Sequence, residues 1–397
     1  MTETVENKIE TSFEKLKAYC ENQRFKGWDP FDGLNSRFFK SLVFLNRNKY
    51  FRLFWIQAFK KNPVNLRKPL FVKKDYNPKG LALFLNGYCN LYHAGHDETI
   101  LKRINELARK VIESKSSGYS GSCWGYNFDW QSLAFFQPKF TPTIVGTTFA
   151  GYSLLDAYDI TGNREYLDEA VSSSHFILKD LNRTYDAGGD FAFSYSPLDS
   201  TSVFNASLLG ARLLSRIYSY TKDNELITSA EKAVAFCCKH QNEDGSWAYS
   251  PLPFHQWIDS FHTGYNLECI YAYQVFSGNK SYENNLKKGL GYYLDNFFLP
   301  TGMPKYYNKS VYPVDVHAPS QLVMTLSRMG VLPQHKELVD RVLNWTIDHM
   351  QDKRQGYFFY QQNKWYTIKI PYIRWSQAWM FYALSEYIKS VKKSNPL

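Results

Sequence analysis

Cysteine is scarce in this 397-residue chain, and its six copies (Cys20, Cys89, Cys123, Cys237, Cys238 and Cys269) are scattered with no Cys-x-x-Cys pair. That spacing excludes a zinc knuckle or a disulfide frame and predicts reduced, buried thiols. A long apolar run is also missing. The most apolar stretch, Phe38 to Phe59, is broken by Lys40, Arg47, Lys49 and Arg52, which excludes a membrane span. A basic, aromatic helix of that kind can touch an anionic membrane peripherally, but it reads first as an outer helix of the fold. The start, Met1-Thr2-Glu3-Thr4-Val5-Glu6-Asn7-Lys8, has no basic stretch followed by an apolar one. No secretory signal is therefore read, and a cytoplasmic protein is expected.

G-x-G-x-x-G, Walker, H-E-x-x-H and G-x-S-x-G motifs are all absent. His93 and His96 flank a turn, and no nearby carboxylate or cysteine set completes a metal site there, so neither a metal nor a cofactor is expected. No clustered run of Lys and Arg suggests a nucleic-acid arm. Nor does any Pro/Gly/Ser-rich linker divide the chain. One domain over 1–397 is expected, with residues 1–35 an N-terminal extension packed on it.

Aromatic residues are abundant: 17% of the chain, with 30 Tyr and 10 Trp. Tyr and Trp suit surfaces that are partly wet and partly stacked. The formal charge of +10 fits an anionic partner as well as an ordinary basic surface. Five loops concentrate the rings: Trp124–Trp130, Phe191–Tyr195, Asp244–Tyr249, Met303–Tyr307 and Gly356–Tyr360. An amphipathic segment precedes each loop and a more apolar one follows.

Comparable points in the apolar segments, Thr147, Asn205, His262, His317 and Arg374, are separated by 58, 57, 55 and 57 residues, and Asn86 lies 61 before the first. The spacing predicts apolar helices over 79–93, 142–160, 201–220, 258–276, 315–329 and 372–389. It predicts amphipathic ones over 36–58, 97–114, 163–181, 223–241, 280–297 and 335–351. Six such pairs predict an all-α (α/α)6 toroid with the aromatic loops on one face; an open solenoid would need polar capping repeats.

The candidate chemistry follows the loops. Asp129 sits on the first. Asp259 and His262, three residues apart, share a helix face, and Asp259 also suits a helix N-cap. Asp315 and His317 recur one repeat later. Arg374 takes that place in the last repeat, where it can hold a sugar carboxylate bidentately or form a helix–helix salt bridge. Asn205 fills the third repeat. Trp124, Trp130, Trp247 and Trp257 are stacking candidates, and Tyr126, Tyr249, Tyr306 and Tyr307 offer phenols. Tyr265, Trp375 and Gln377 complete the binding set. Two chemistries fit this inventory. Glycoside hydrolysis needs two carboxylates, which Asp129 with Asp259 or Asp315 would supply. Proton abstraction beside a uronate carboxylate needs a cation and a His or Tyr base, which Arg374, His262, His317 and the tyrosines would supply.

The strings Cys123-Trp124-Gly125-Tyr126-Asn127-Phe128-Asp129-Trp130-Gln131-Ser132, Thr141–Val145, Leu154–Tyr158, Trp257–Asn266 and Pro304–Tyr307 resemble a family encoded in bacterial surface-polysaccharide gene clusters. The likeness runs from about residue 28 to 388. Members often carry the label delta-aminolevulinic acid dehydratase, an enzyme whose β/α barrel differs from a run of helical pairs. The resemblance implies the six-hairpin toroid of glycosidases and, more distantly, that of glucuronyl C5-epimerases. It implies a glycosidase-like protein acting on an anionic polysaccharide or its precursor. A uronate epimerase or lyase is the alternative within enzymes, and a glycan-binding scaffold the alternative outside them.

Overall fold

The computed structural model describes residues 4–132 and 135–394. Three short helices, α2 (Arg37–Ser41), α3 (Val43–Arg47) and α4 (Lys49–Lys61), follow a longer one, α1 (Val5–Asn22). Then inner and outer helices alternate: α5 (Pro78–Gly95), α6 (Glu98–Glu113), α7 (Ile144–Thr161), α8 (Arg164–Lys179), α9 (Phe204–Thr221) and α10 (Asn224–Lys239). The run continues through α11 (Ser260–Ser277), α12 (Glu283–Phe297), α13 (His317–Arg328) and α14 (Lys336–Met350) to α15 (Trp379–Ser394). A π-turn, Ile373–Ala378, opens α15.

Local chemistry sets the inner helices. Asn77, Thr143 and Asp259 cap α5, α7 and α11 by accepting the backbone N–H three residues on. Gly162 and Gly278 close α7 and α11 in the left-handed conformation. Each inner helix packs on the next, and α15 returns to α5, closing the ring. The protein is an (α/α)6 toroid. The strands are short hairpins in the loops, pairing Trp130–Gln131 with Phe136–Gln137 and Arg183–Tyr185 with Phe191–Phe193. A third small sheet joins Val314–Asp315, Gln361–Gln362 and Thr367–Ile368.

The sixth outer position departs from the sequence reading. Segment 36–58 is not one outer helix. Ser36 and Asn48 each cap a new start inside it, and Leu42 at φ −83°, ψ 67° interrupts it. Instead α1, expected as part of an extension, stands against α14 and α15. It buries the stripe Ile9, Phe13, Leu16 and Cys20. A repeated contact identifies its role. A Cβ on Gly245 or Gly302, both at positive φ, would run into the Lys288 carbonyl of α12 or the Arg341 carbonyl of α14. Gly356 leans on the Lys15 carbonyl of α1 in the same way.

Candidate active site

The first turns of the inner helices meet at one cavity of about 260 Å³ on the loop face. Lys79 comes from α5, Val145 from α7, Asn205 from α9, His262 and Tyr265 from α11, His317 from α13, and Arg374 and Trp375 from the turn before α15. All six helices therefore aim their N-termini, the positive ends of their dipoles, at the same space. The loops supply aromatic walls. Tyr126 stacks on Phe128 with centroids 5.3 Å apart, and Tyr249 stacks on Trp257 at 4.7 Å. Trp130, Tyr195, Tyr306 and Tyr307 complete them.

Asp259 does two jobs from one buried carboxylate. Its Oδ1 caps α11 through the His262 N–H at 3.0 Å. Its Oδ2 lies 2.7 Å from His262 Nδ1 and accepts Trp257 Nε1–H at 3.2 Å. When Asp259 Oδ2 accepts from the Nδ1–H of His262, the Nε2 lone pair is left as the ring's basic atom. The His262 side chain is 21% exposed, while that of Asp259 is 1%. The Tyr306–Tyr307 loop is laced onto this cap, since Ser260 N–H donates to the Tyr306 carbonyl at 2.9 Å.

The second Asp/His pair is built differently. Asp315 lies two residues before His317 at the strand end, and its Oδ1 accepts the His317 backbone N–H at 2.9 Å. Gln361 Nε2 and Trp375 Nε1 also donate to this carboxylate, which does not bond the His317 ring. Burial lifts the Asp315 carboxyl to about 6, and the three donors restrain it. The His317 ring shares its Nε2 with the Tyr265 hydroxyl at 2.8 Å, while its Nδ1 is buried without a partner. Burial first, then the neighbouring Lys79, His262 and Arg374, push His317 well below the usual histidine range. Tyr265 is pushed well above the phenol range by burial, so it stays protonated.

The remaining candidates divide cleanly. Trp130, Trp257, Tyr126, Asn205, Tyr265, Tyr306, Tyr307, Arg374 and Trp375 line the cavity. Asp129 does not: it accepts the Lys139 N–H at 2.9 Å and pairs with Lys40 at 3.4 Å nearer the surface. Trp124 and Trp247 turn inward, their Nε1–H groups donating to the Val111 carbonyl at 2.7 Å and the Cys237 carbonyl at 3.0 Å at the ends of α6 and α10. Gln377 clamps the backbone N–H and carbonyl of Phe358. Arg374 faces the cavity, but its bidentate edge is engaged by buried Asp29, at 2.6 and 2.9 Å. Asn86 sits mid-helix in α5, lining a separate small cavity.

Sequence reasoning missed two lysines. Lys79 Nζ lies 4.1 Å over the Phe149 ring and 5.3 Å over Trp379, and burial lowers it well below the lysine range. Its one signal was a lysine in the first turn of an otherwise apolar helix. Lys60 of α4 closes another side of the cavity, 4.6 Å over Phe31. Among the described residues, no group of His, Cys, Asp or Glu is arranged to hold a metal ion.

No protein-family profile matches the chain, and no curated protein matches it by sequence. Solved structures do. A cellobiose 2-epimerase from Bacillus thermoamylovorans is similar over 81% of this chain and 90% of that one, at TM-score 0.61 and 14% identity. An unsaturated glucuronyl hydrolase specific for heparin is similar over 98% of both chains, at TM-score 0.62 and 11% identity. A family 76 mannosidase from Bacteroides thetaiotaomicron is similar over 82% of this chain and 90% of that one, at TM-score 0.60 and 11% identity. The chain thus shares the six-hairpin toroid fold of these proteins.

Proposed function

We propose that the cavity binds a sugar unit of an anionic saccharide and moves a proton at one of its carbons, an epimerase-type reaction. The carrying observation is the chemistry of the lining. Two histidines, two lysines and several tyrosines face the cavity, and no Asp or Glu is among the described lining residues. Glycoside hydrolysis by the usual route needs two carboxylates beside the bond, whereas proton abstraction needs a base and positive potential. In this reading His262 Nε2 takes the proton from a carbon beside a carbonyl or carboxylate. The electron pair moves onto the oxygen, which Lys79, Lys60 and the six helix N-termini stabilise. The Tyr265/His317 pair then returns a proton to the other face of the carbon. The aromatic walls stack on the sugar.

The toroid is shared alike with a cellobiose 2-epimerase and with two glycoside hydrolases, so it is the lining of the cavity that favours this reading. A surface polysaccharide or its lipid-linked precursor, met in the cytoplasm, is the proposed substrate. Incubation with purified bacterial surface polysaccharides and their oligosaccharides in heavy water separates the chemistries. Solvent deuterium on a sugar carbon supports the proposal. New reducing ends would mean hydrolysis, unsaturated uronates a lyase, and binding without any product a scaffold.

A further inference from the structure

From Gly33 to Lys74 the chain holds eleven Lys and Arg and no Asp or Glu, leaving −1 for the rest of a chain whose total is +10. The protein's basic character is therefore the property of one 42-residue segment. Some of these cations are engaged within the protein: Arg67 is buried against Asp32, Lys60 lines the cavity, Arg52 donates to Gln131 and Lys40 pairs with Asp129. Arg37, Arg47, Lys61, Lys68 and Lys73 are exposed.

The same segment carries apolar rings outward. The six most exposed large hydrophobic side chains among the described residues are Phe44 (90%), Trp365 (84%), Tyr50 (76%), Phe54 (64%), Val64 (64%) and Phe71 (63%). Five belong to this segment. The sixth neighbours it, because the adjacent Tyr366 reaches the Lys61 carbonyl. A core-building helix would bury such residues. Here Phe39, Ile56 and Phe59 anchor α2 and α4 to the body, and their neighbours project away from it. The segment also borders the cavity, since Phe31 lies just before it and Lys60 within it.

We infer that this face docks on an anionic lipid bilayer. Exposed Phe, Tyr and Trp insert at the boundary of headgroups and acyl chains, and the surrounding cations are drawn to negative headgroups. Among the described residues no helix is long and apolar enough to cross the bilayer. Duplex nucleic acid would match the charge but leave Phe44 and Phe54 without a use, because its bases are already stacked. Docking sets the cavity mouth beside the membrane, where a saccharide carried on a lipid is presented. The inference does not depend on which reaction the cavity performs, because vesicle binding is read without a sugar.

The test is co-sedimentation of the full chain with vesicles of phosphatidylcholine alone, or of phosphatidylcholine and phosphatidylglycerol in equal parts. The expected result is binding to the anionic vesicles that weakens at high salt, with at least about tenfold less on the neutral ones. The double variant Phe44→Ser/Phe54→Ser loses binding at least about tenfold, and Arg47→Glu/Lys68→Glu weakens it on anionic vesicles only. These side chains project into solvent, so circular dichroism should report an unchanged fold. If a double variant nevertheless fails to fold, Trp365→Ser reads the same face from another loop. Protein left in the supernatant with both vesicle types overturns the inference. So do variants that bind like the wild type, or a preference for an oligonucleotide over the vesicles. Self-association that Phe44→Ser abolishes, without any vesicle binding, also overturns it and assigns the face to a second copy of the chain.

Discussion

Replacing Asp259 by asparagine separates the two jobs of that carboxylate. Asparagine caps a helix about as well as aspartate, so the bond from the His262 N–H at 3.0 Å is retained. The other oxygen becomes an NH2 group facing two donors, Trp257 Nε1–H at 3.2 Å and the proton on His262 Nδ1. The indole then loses a charged acceptor, which costs about 1.5–3 kcal/mol. The imidazole can recover a bond only by moving its proton to Nε2, so that Nδ1 accepts from the amide. That tautomer has no lone pair at the atom assigned to proton abstraction. Loss of a positioned general base costs about 10²–10⁴-fold in rate. Asp259→Asn should therefore lower stability by about 1.5–3 kcal/mol in urea unfolding. Proton transfer should fall far more than so modest a loss of stability explains. Nitrogen-15 spectra of labelled histidine read the tautomer without any substrate. Asp259→Ser keeps a cap but cannot reach the ring, and should lose the same chemistry. If the asparagine variant keeps its proton on Nδ1, or exchanges substrate protons at the wild-type rate, the assignment of His262 through Asp259 is wrong.

Asp29→Ala should cost about 3–5 kcal/mol, because it strands a buried guanidinium that is now held at two points. The double change Asp29→Leu/Arg374→Met should recover most of that loss in urea unfolding, and no recovery would mean the pair is not what Asp29 contributes. Lys79→Met should raise the urea midpoint, since it removes a buried amine that burial holds well below the lysine range, and should weaken binding of an acidic oligosaccharide in calorimetry. His317 gives a pH signature. Below its ordinary 6.5 the unfolded chain takes up a proton that native His317 refuses, so stability falls as pH drops from 6.5 toward the lower native value. Asp315 and Asp32, both lifted to about 6, bind protons in the native state and oppose this trend. The readout is therefore the difference between wild type and His317→Gln, whose stability should fall less between about pH 7 and about pH 5; equal slopes would refute the buried neutral histidine.

Most of the ring could be read from the sequence because its causes are local. Apolar stripes and closing turns such as Thr161-Gly162-Asn163 recur at nearly constant spacing, and the inner helices α5, α7 and α11 start and stop within a few residues of the reading. The sixth outer helix could not be read this way. Segment 36–58 and α1 both look amphipathic, and only the seam between α14 and α15 decides which one the ring takes. The cavity was harder still. Arg374 and Asp29 are 345 residues apart, so nothing near Arg374 in the sequence reveals that its bidentate edge is already engaged. The matching Asp259/His262 and Asp315/His317 motifs differ by one residue in spacing. That one residue turns Asp315 toward Trp375 and Gln361 and away from its histidine. Trp124 and Trp247 have the composition of stacking platforms, but their indoles pin loops to outer helices.

In the proposed reaction His262, set by Asp259, abstracts a proton from a sugar carbon in the aromatic cavity. The most direct measurement is deuterium uptake from heavy water into a recovered oligosaccharide, comparing wild type with a folded His262→Gln variant. The expected result is label on one carbon with the wild type and essentially none with the variant. Equal labelling by both proteins, or new reducing ends without label, would contradict that role for His262.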